Sequence, residues 1–244
     1  MNLKTFLALP VALCALAFGA GGASATQFVT NGGFESSTYT DSVALFGTNT
    51  PATDWTSTGS WVLFCSASGI GCDNSATYGY LAPPVPLSPQ GGNYIGFDGD
   101  TASGFPGPFT QTIAGLTVGA TYTLSFYMAG AEECCANTPT TEDLTATIGG
   151  LNFTTPTIST PADGFSPWTL YTTSFVYDGT SNVLTFLANG GPEGEPPYAL
   201  LDGVSLTSTT GATPEPSTWL MIVAGFAGLG LAARARRKSK AVLA

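Results

Sequence analysis

Carboxylates are almost the only side chains in this sequence able to do acid–base chemistry. Histidine is absent, and the six basic residues are Lys4, Arg234, Arg236, Arg237, Lys238 and Lys240. Between Thr26 and Ala233 lie all sixteen acids and no basic side chain. That stretch therefore has no histidine triad and no Schiff-base lysine. Nucleic acid is excluded as a partner, because phosphate recognition needs Lys or Arg. Catalysis could only use paired carboxylates, as in glycoside hydrolysis. Glu132-Glu133 and Glu142-Asp143 are the adjacent pairs. Neighbours on one strand point to opposite faces, and both pairs flank a cysteine-bearing loop, so the chain reads as a non-enzyme.

No salt bridge can form inside this acidic stretch. Carboxylates that meet there must be solvated, protonated or held by a cation, and oxygen donors suit calcium. Asp98-Gly99-Asp100 is oxygen-rich but lacks the remaining spacing of a calcium loop, and reads as a turn. Sugar binding needs exposed aromatic faces beside hydrogen-bonding groups. Trp61, Tyr78, Tyr80 and Trp168 lie near loops and are the candidates, with core packing as the competing reading for each. Trp55 reads as core.

The elements that must position these residues are strands. From Thr26 to about Ser208 the chain lacks helical periodicity. Short alternating runs rich in Thr, Ser, Val, Phe and Tyr are separated by Gly, Pro and Asn/Asp turns, which predicts an all-β sandwich. Thr121–Gly130 places Tyr122, Leu124, Phe126 and Met128 on one face. Residues 144–155 read as a hairpin turning at Gly149-Gly150. Leu170–Gly190 reads as a second strand pair turning at Asp178 to Asn182. Tyr198–Ser208 is the last strand, and the proline-rich Leu81–Gly92 is a loop.

The ends read as addresses. Lys4, the apolar run Phe6 to Ala20 and Ala23-Ser24-Ala25 make a secretory signal peptide cut after Ala25. Export gives the remaining four cysteines an oxidising compartment. Of the three pairings, bridges from Cys65 and Cys72 to Cys134 and Cys135, in either order, are favoured, and Cys65 with Cys72 beside a vicinal pair is the alternative. At the other end an uncharged apolar run, Trp219 to Ala233, precedes five cations at 234–240. It reads as a short transmembrane helix that anchors the chain before processing, with the cations on the cytoplasmic side. The layout is 1–25 signal peptide, 26–208 sandwich, 209–213 linker and 214–240 tail.

Two resemblances follow from these residues. Pro214-Glu215-Pro216, the apolar helix and the cluster Arg234, Arg236, Arg237 and Lys238 resemble the PEP-CTERM sorting signal, a tail also catalogued as an ice-binding protein C-terminal domain. The resemblance implies recognition by an exosortase, a membrane-embedded protease that cuts near Pro-Glu-Pro. It places the protein at the cell envelope, cell surface or extracellular matrix. The second set is Asn31–Ser36 (NGGFES), Asp54–Thr56 (DWT), Phe109–Phe126 and Leu201–Leu206 (LDGVSL). It resembles jelly-roll, galactose-binding-like domains, including extracellular carbohydrate-binding modules. In these, the stretch matching Phe109–Phe126 is a hairpin, and the positions of Glu35 and Asp202 meet around a structural calcium. Loop capping by Glu35 and Asp202 is the alternative. The resemblance implies non-catalytic binding of extracellular polysaccharide. A structural or adhesive matrix protein and a carboxylate glycosidase are the alternatives.

Overall fold

Alternation of large apolar and small polar residues with period two gives a sheet one face for a core, and twelve strands among the described residues follow from it. A computed structural model of the chain describes residues 25–58, 61–66, 81, 87–101, 106–132, 137–208 and 222–228. The strands are β1 (Val43–Leu45), β2 (Thr56–Ser57), β3 (Val62–Cys65), β4 (Tyr94–Asp98), β5 (Phe109–Thr112), β6 (Thr121–Glu132), β7 (Thr140–Ile148), β8 (Leu151–Thr154), β9 (Ile158–Thr160), β10 (Phe165–Val176), β11 (Val183–Gly191) and β12 (Pro197–Ser208). Sheet A runs β1-β3-β4-β12-β6-β10, and sheet B runs β2-β5-β11-β7-β8 with β9 beside β7. All these strand pairs are antiparallel. The two sheets face each other across one core, the jelly-roll-like sandwich that the sequence predicts.

The inner faces interlock as the alternation requires. Tyr122, Leu124, Phe126 and Met128 of β6 are all buried in this core, with Phe64, Ile95 and Phe97 from sheet A and Phe109, Leu144 and Phe186 from sheet B. Trp55 is fully buried and stacks on Phe109, ring centroids 4.8 Å apart and nearly parallel. Its indole N–H donates to the carbonyls of Thr30 and Asn31, so the one polar atom of a core tryptophan is satisfied.

The turn at Gly149-Gly150 closes the β7–β8 hairpin with Ile148 opposite Leu151. Two other pairings are corrected. β10 and β11 do not pair across Asp178 to Asn182, since β10 borders β6 in sheet A and β11 lies between β5 and β7 in sheet B. Likewise β5 and β6, the stretch Phe109–Phe126, belong to different sheets. Both connections are arches over the same end of the sandwich. They are tied together by Gly119 N–H to the Tyr177 carbonyl (2.8 Å) and Ile113 N–H to the Asn182 carbonyl (2.8 Å). The reason is that both flanking strands carry core residues, and an arch lets the two sets face each other across the core.

Ala25–Thr210 forms one compact unit. C-terminal to it in the chain, residues 222–228 are helical. Among the described residues no helix is long and apolar enough to cross a membrane. The rest of the apolar run, the sorting residues Pro214 to Pro216 and Arg234 to Lys238, and the signal peptide through Ser24 lie outside the described residues. So do Cys72, Cys134 and Cys135, while Cys65 is buried at the end of β3.

Candidate functional site

Sheet A has a second apolar face. In β3, β4, β6 and β12 the residues between the core positions are also apolar: Leu63, Tyr94, Ala129, Ala131, Tyr198 and Leu200 are buried together with Leu81 in a separate cluster. Alternation puts them on the side of sheet A away from the core. Trp61 and Trp168 are half-buried against this cluster. Trp61 lies edge-on to Tyr198 (6.3 Å, 88°), and Phe46, 59% exposed, leans on its other side at 4.8 Å. Trp168 lies edge-on to Tyr94 (5.6 Å, 79°).

The position of Trp168 has a local cause. Pairing of β10 with β6 jumps from Ser166–Gly130 to Thr169–Met128, which inserts one residue. Such a bulge re-aims a side chain. The outward residues of β6 here are Ala129 and Ala131, small enough for an indole to lie over them. Two of the four predicted sugar-contact residues are thus brought to one face, at two margins of one aromatic cluster. Tyr78 and Tyr80 lie outside the described residues. Tyr94, Tyr198 and Phe46 were not singled out from sequence. The available signal was the unbroken apolar character of VLFC and YALL, which marks strands covered on both faces.

The same face of sheet A carries Asp202 farther along β12. It is fully buried. Its carboxylate accepts from the Gly203 N–H (2.6 Å) and from the Ser88 hydroxyl. Burial raises its pKa to about 7, against the effect of these donors, and the nearby charge of Glu35 adds to the rise. A register shift follows at Gly203 (φ +60), where a Cβ would lie 2.7 Å from Gln90 Cγ.

The NGGFES turn brings Glu35 to this aspartate. The Asn31 side chain ties the turn shut by donating to the carbonyls of Ser36 and Thr53 and accepting from the Ser36 N–H. Gly32 packs on the Val204 carbonyl, where a Cβ would be 1.9 Å away. Phe34 holds a positive φ of 60°, a strained conformation for a bulky residue. Its ring is locked edge-on to Trp55 and Phe109. A Cβ on Gly33 would lie 3.9 Å from both Asp202 Oδ1 and Glu35 Cγ, and one on Gly92 (φ +76) would lie 1.8 Å from Glu35 Oε1. Glu35 Oε1 accepts from the Asn93 N–H at 2.9 Å. The two carboxylates converge in a cradle that glycines keep open. Its donors are oxygens, and no basic residue stands between Lys4 and Arg234 to pair with them. That donor set fits a hard dication.

The other acids hold structure. Asp98 Oδ1 accepts from the Asp100 N–H (2.8 Å) and Asp100 Oδ2 from the Gly194 N–H (3.0 Å), which makes this stretch the turn its sequence suggests. Glu142 points into the sandwich and is fully buried, while Asp143 points outward and accepts from the Asn189 amide (2.8 Å). Glu132 is also fully buried, and Glu133 lies outside the described residues. Neither described glutamate of these pairs reaches a surface where a glycosidic bond could sit.

The class is therefore a β-sandwich with a second, aromatic face, joined to a sorting tail. The PEP-CTERM protein-sorting motif matches residues 212–238 and marks an exported protein sorted to the cell surface. No curated protein matches the chain. Among solved structures, the backbone is similar to part of an arabinose-bound α-L-arabinofuranosidase, MgGH51 (15% identity, 75% of this chain and 26% of that chain, TM-score 0.44). It is also similar to the CBM22-1 xylan-binding domain of Paenibacillus barcinonensis Xyn10C (12% identity, 80% and 100% covered, TM-score 0.38). A third is the K3 cleaved adhesin domain of Lys-gingipain from Porphyromonas gingivalis (10% identity, 68% and 98% covered, TM-score 0.35). The chain spans about a quarter of the length of the arabinofuranosidase.

Proposed function

We propose that this chain is a non-catalytic polysaccharide-binding protein of the cell surface or extracellular matrix. An exosortase-type protease recognises its tail, and the C-terminal apolar segment holds it at the membrane until then. The observation that carries the binding reading is the gathering of Trp61 and Trp168 with Tyr94 and Tyr198 on one face of sheet A. Aromatic rings offer the broad apolar planes on which sugar C–H faces pack, and their N–H and O–H tips supply polar contacts. A filler protein without a ligand predicts tryptophans that are all buried or scattered singly, unlike this cluster. Glu35 and Asp202 hold a structural calcium on this same face, farther along β12. Cys65 is oxidised in the exported protein.

The test is a glycan array probed with the full chain in detergent, with plant and bacterial polysaccharides displayed. Binding to one class of glycan, lost in Trp61→Ala and Trp168→Ala while the fold persists by circular dichroism, is the expected result. No binding to any displayed glycan, the producing cell's own polysaccharide included, or binding that both variants keep, rejects the reading.

A further inference from the structure

Gly130 sits near the C-terminal end of the long strand β6, on its inward face, with no positive φ to require glycine. Glycine weakens a strand interior and there marks a close approach. What approaches is polar. A Cβ at Gly130 would lie 2.3 Å from Thr160 Oγ1 and 2.6 Å from Glu142 Oε2. Four strands from both sheets converge here: β6 with Gly130 and Glu132, β7 with Thr140 and Glu142, β9 with Ser159 and Thr160, and β10 with Ser166. Glu142, Glu132, Thr140 and Thr160 are all essentially inaccessible to solvent, and Ser166 is 7% exposed.

The group is built from oxygen. Glu142 accepts from the hydroxyls of Thr140 and Thr160, the latter at 2.8 Å. Thr160 Oγ1 lies 3.2 Å from Ser166 Oγ, which donates to the Ser159 carbonyl. Glu132, two residues beyond Gly130 on the same face, is near enough for its charge to disfavour ionisation of Glu142. One Glu132 oxygen accepts from the Asp163 N–H, and the other, Oε1, is buried without a hydrogen-bond partner. Asp163 and Glu195 add further negative charge around Glu132.

We infer that this cluster is a second cation site, which takes a calcium ion between Glu132 and Glu142 inside the sandwich. Two carboxylates buried together with no basic residue must be neutralised by a proton or a cation. A buried carboxylate oxygen left without a hydrogen-bond partner is what a metal ion takes up. Two carboxylates, three hydroxyls and a backbone carbonyl are the hard donors calcium prefers. The site is separate from Glu35 and Asp202, which lie on the opposite side of sheet A.

The test is calcium titration of the chelated full chain in detergent, by calorimetry and thermal unfolding. The double variant Glu35→Gln/Asp202→Asn should keep one calcium equivalent, and adding Glu142→Gln should remove it. Glu132→Gln in the same background checks the result with a second near-isosteric change, and near-UV circular dichroism confirms packing of each variant. A double variant that binds no calcium overturns the inference, and so does an equivalent that survives both Glu142→Gln and Glu132→Gln. Failure of the outer pair to bind calcium shows separately, as a double variant with the parent's full stoichiometry.

Discussion

Away from their shared core, sheet A carries Leu63, Tyr94, Tyr198 and Leu200, whereas sheet B carries a row of hydroxyls. Thr56 pairs with Thr110, Thr110 with Thr185, Thr185 with Thr147, and Thr147 with Asn152, so one row of small polar side chains crosses five of the six strands of sheet B. None of these five is buried. A domain without Lys or Arg can still make a water-facing sheet, and sheet B shows how: threonine has high strand preference and a hydroxyl for water. An aromatic cluster on the outer side of sheet A is therefore not forced by the composition. The same chain had a polar solution available and used it on the other sheet.

The largest effect that sharpens this contrast concerns the core between the faces. Trp55→Ala removes a fully buried ring stacked on Phe109 and touching Phe34. It should cost roughly 3–5 kcal/mol in chemical denaturation, the usual loss for a large core aromatic. Trp61→Ala and Trp168→Ala remove half-buried rings and should each cost about 1–2 kcal/mol of stability. Equal losses at all three positions would make the outer cluster ordinary core.

Next comes ligand affinity. An aromatic plane lost from a contact is worth about 1.4 kcal/mol, which is tenfold in Kd. Each of Trp61→Ala and Trp168→Ala should weaken glycan binding about tenfold in calorimetry with the glycan found on the array. Phe46→Ala should weaken it less, since Phe46 leans on Trp61 without joining the buried cluster.

The acidic end of the sheet A face gives a pH signature. The folded pKa of Asp202 is raised to about 7 from an ordinary 3.8, first by burial. Glu142 inside the sandwich is raised to about 7 from 4.5, again first by burial. Between about pH 4 and 7 the folded state then holds more protons than the unfolded one, so stability falls as pH rises. The chelated protein should melt at a higher temperature at pH 5 than at pH 7.5, and calcium should narrow the gap. Scanning calorimetry with and without chelator checks this. A chelated protein that is more stable at pH 7.5 contradicts both the burial and the missing counter-charge.

Much of the sandwich is legible from residue alternation, and the limits have a physical cause. Tyr122, Leu124, Phe126 and Met128 announce an inward face because strand side chains repeat every two residues. The Gly149-Gly150 hairpin is legible because its two-residue turn demands glycine. The arches at Gly115–Ala120 and Asp178–Asn182 were not, since glycine and asparagine serve any sharp reversal. Local turn chemistry does not say whether the next strand pairs sideways or stacks across a core. At the site, Trp61 and Trp168 stand out one at a time, and Glu35 and Asp202 as a pair through the resemblance. Their company does not: Tyr94 meets Trp168 only through a bulge in β10, and Ser88 meets Asp202 from 114 residues away in the chain. Gly130 reads only as the end of the Thr121–Gly130 run, because what crowds it, the Glu142 carboxylate, lies on the other sheet.

The smallest expected effect tests sheet B itself. Thr185→Val sits in the third place of the hydroxyl row and keeps the branch at Cβ, so the strand and the neighbouring core residues Leu184 and Phe186 are undisturbed. Stability should change by less than about 0.5 kcal/mol, as for most surface substitutions, and glycan affinity should not change. Isothermal titration against the glycan that Trp61→Ala weakens makes the comparison direct. A fall in affinity at Thr185→Val with none at Trp61→Ala would exchange the roles of the faces: the hydroxyl row would be the recognition surface, and the aromatic cluster a second core. The asymmetry between the sheets would remain under that outcome, because it is built into which positions alternate, but the binding function would move to the threonine face.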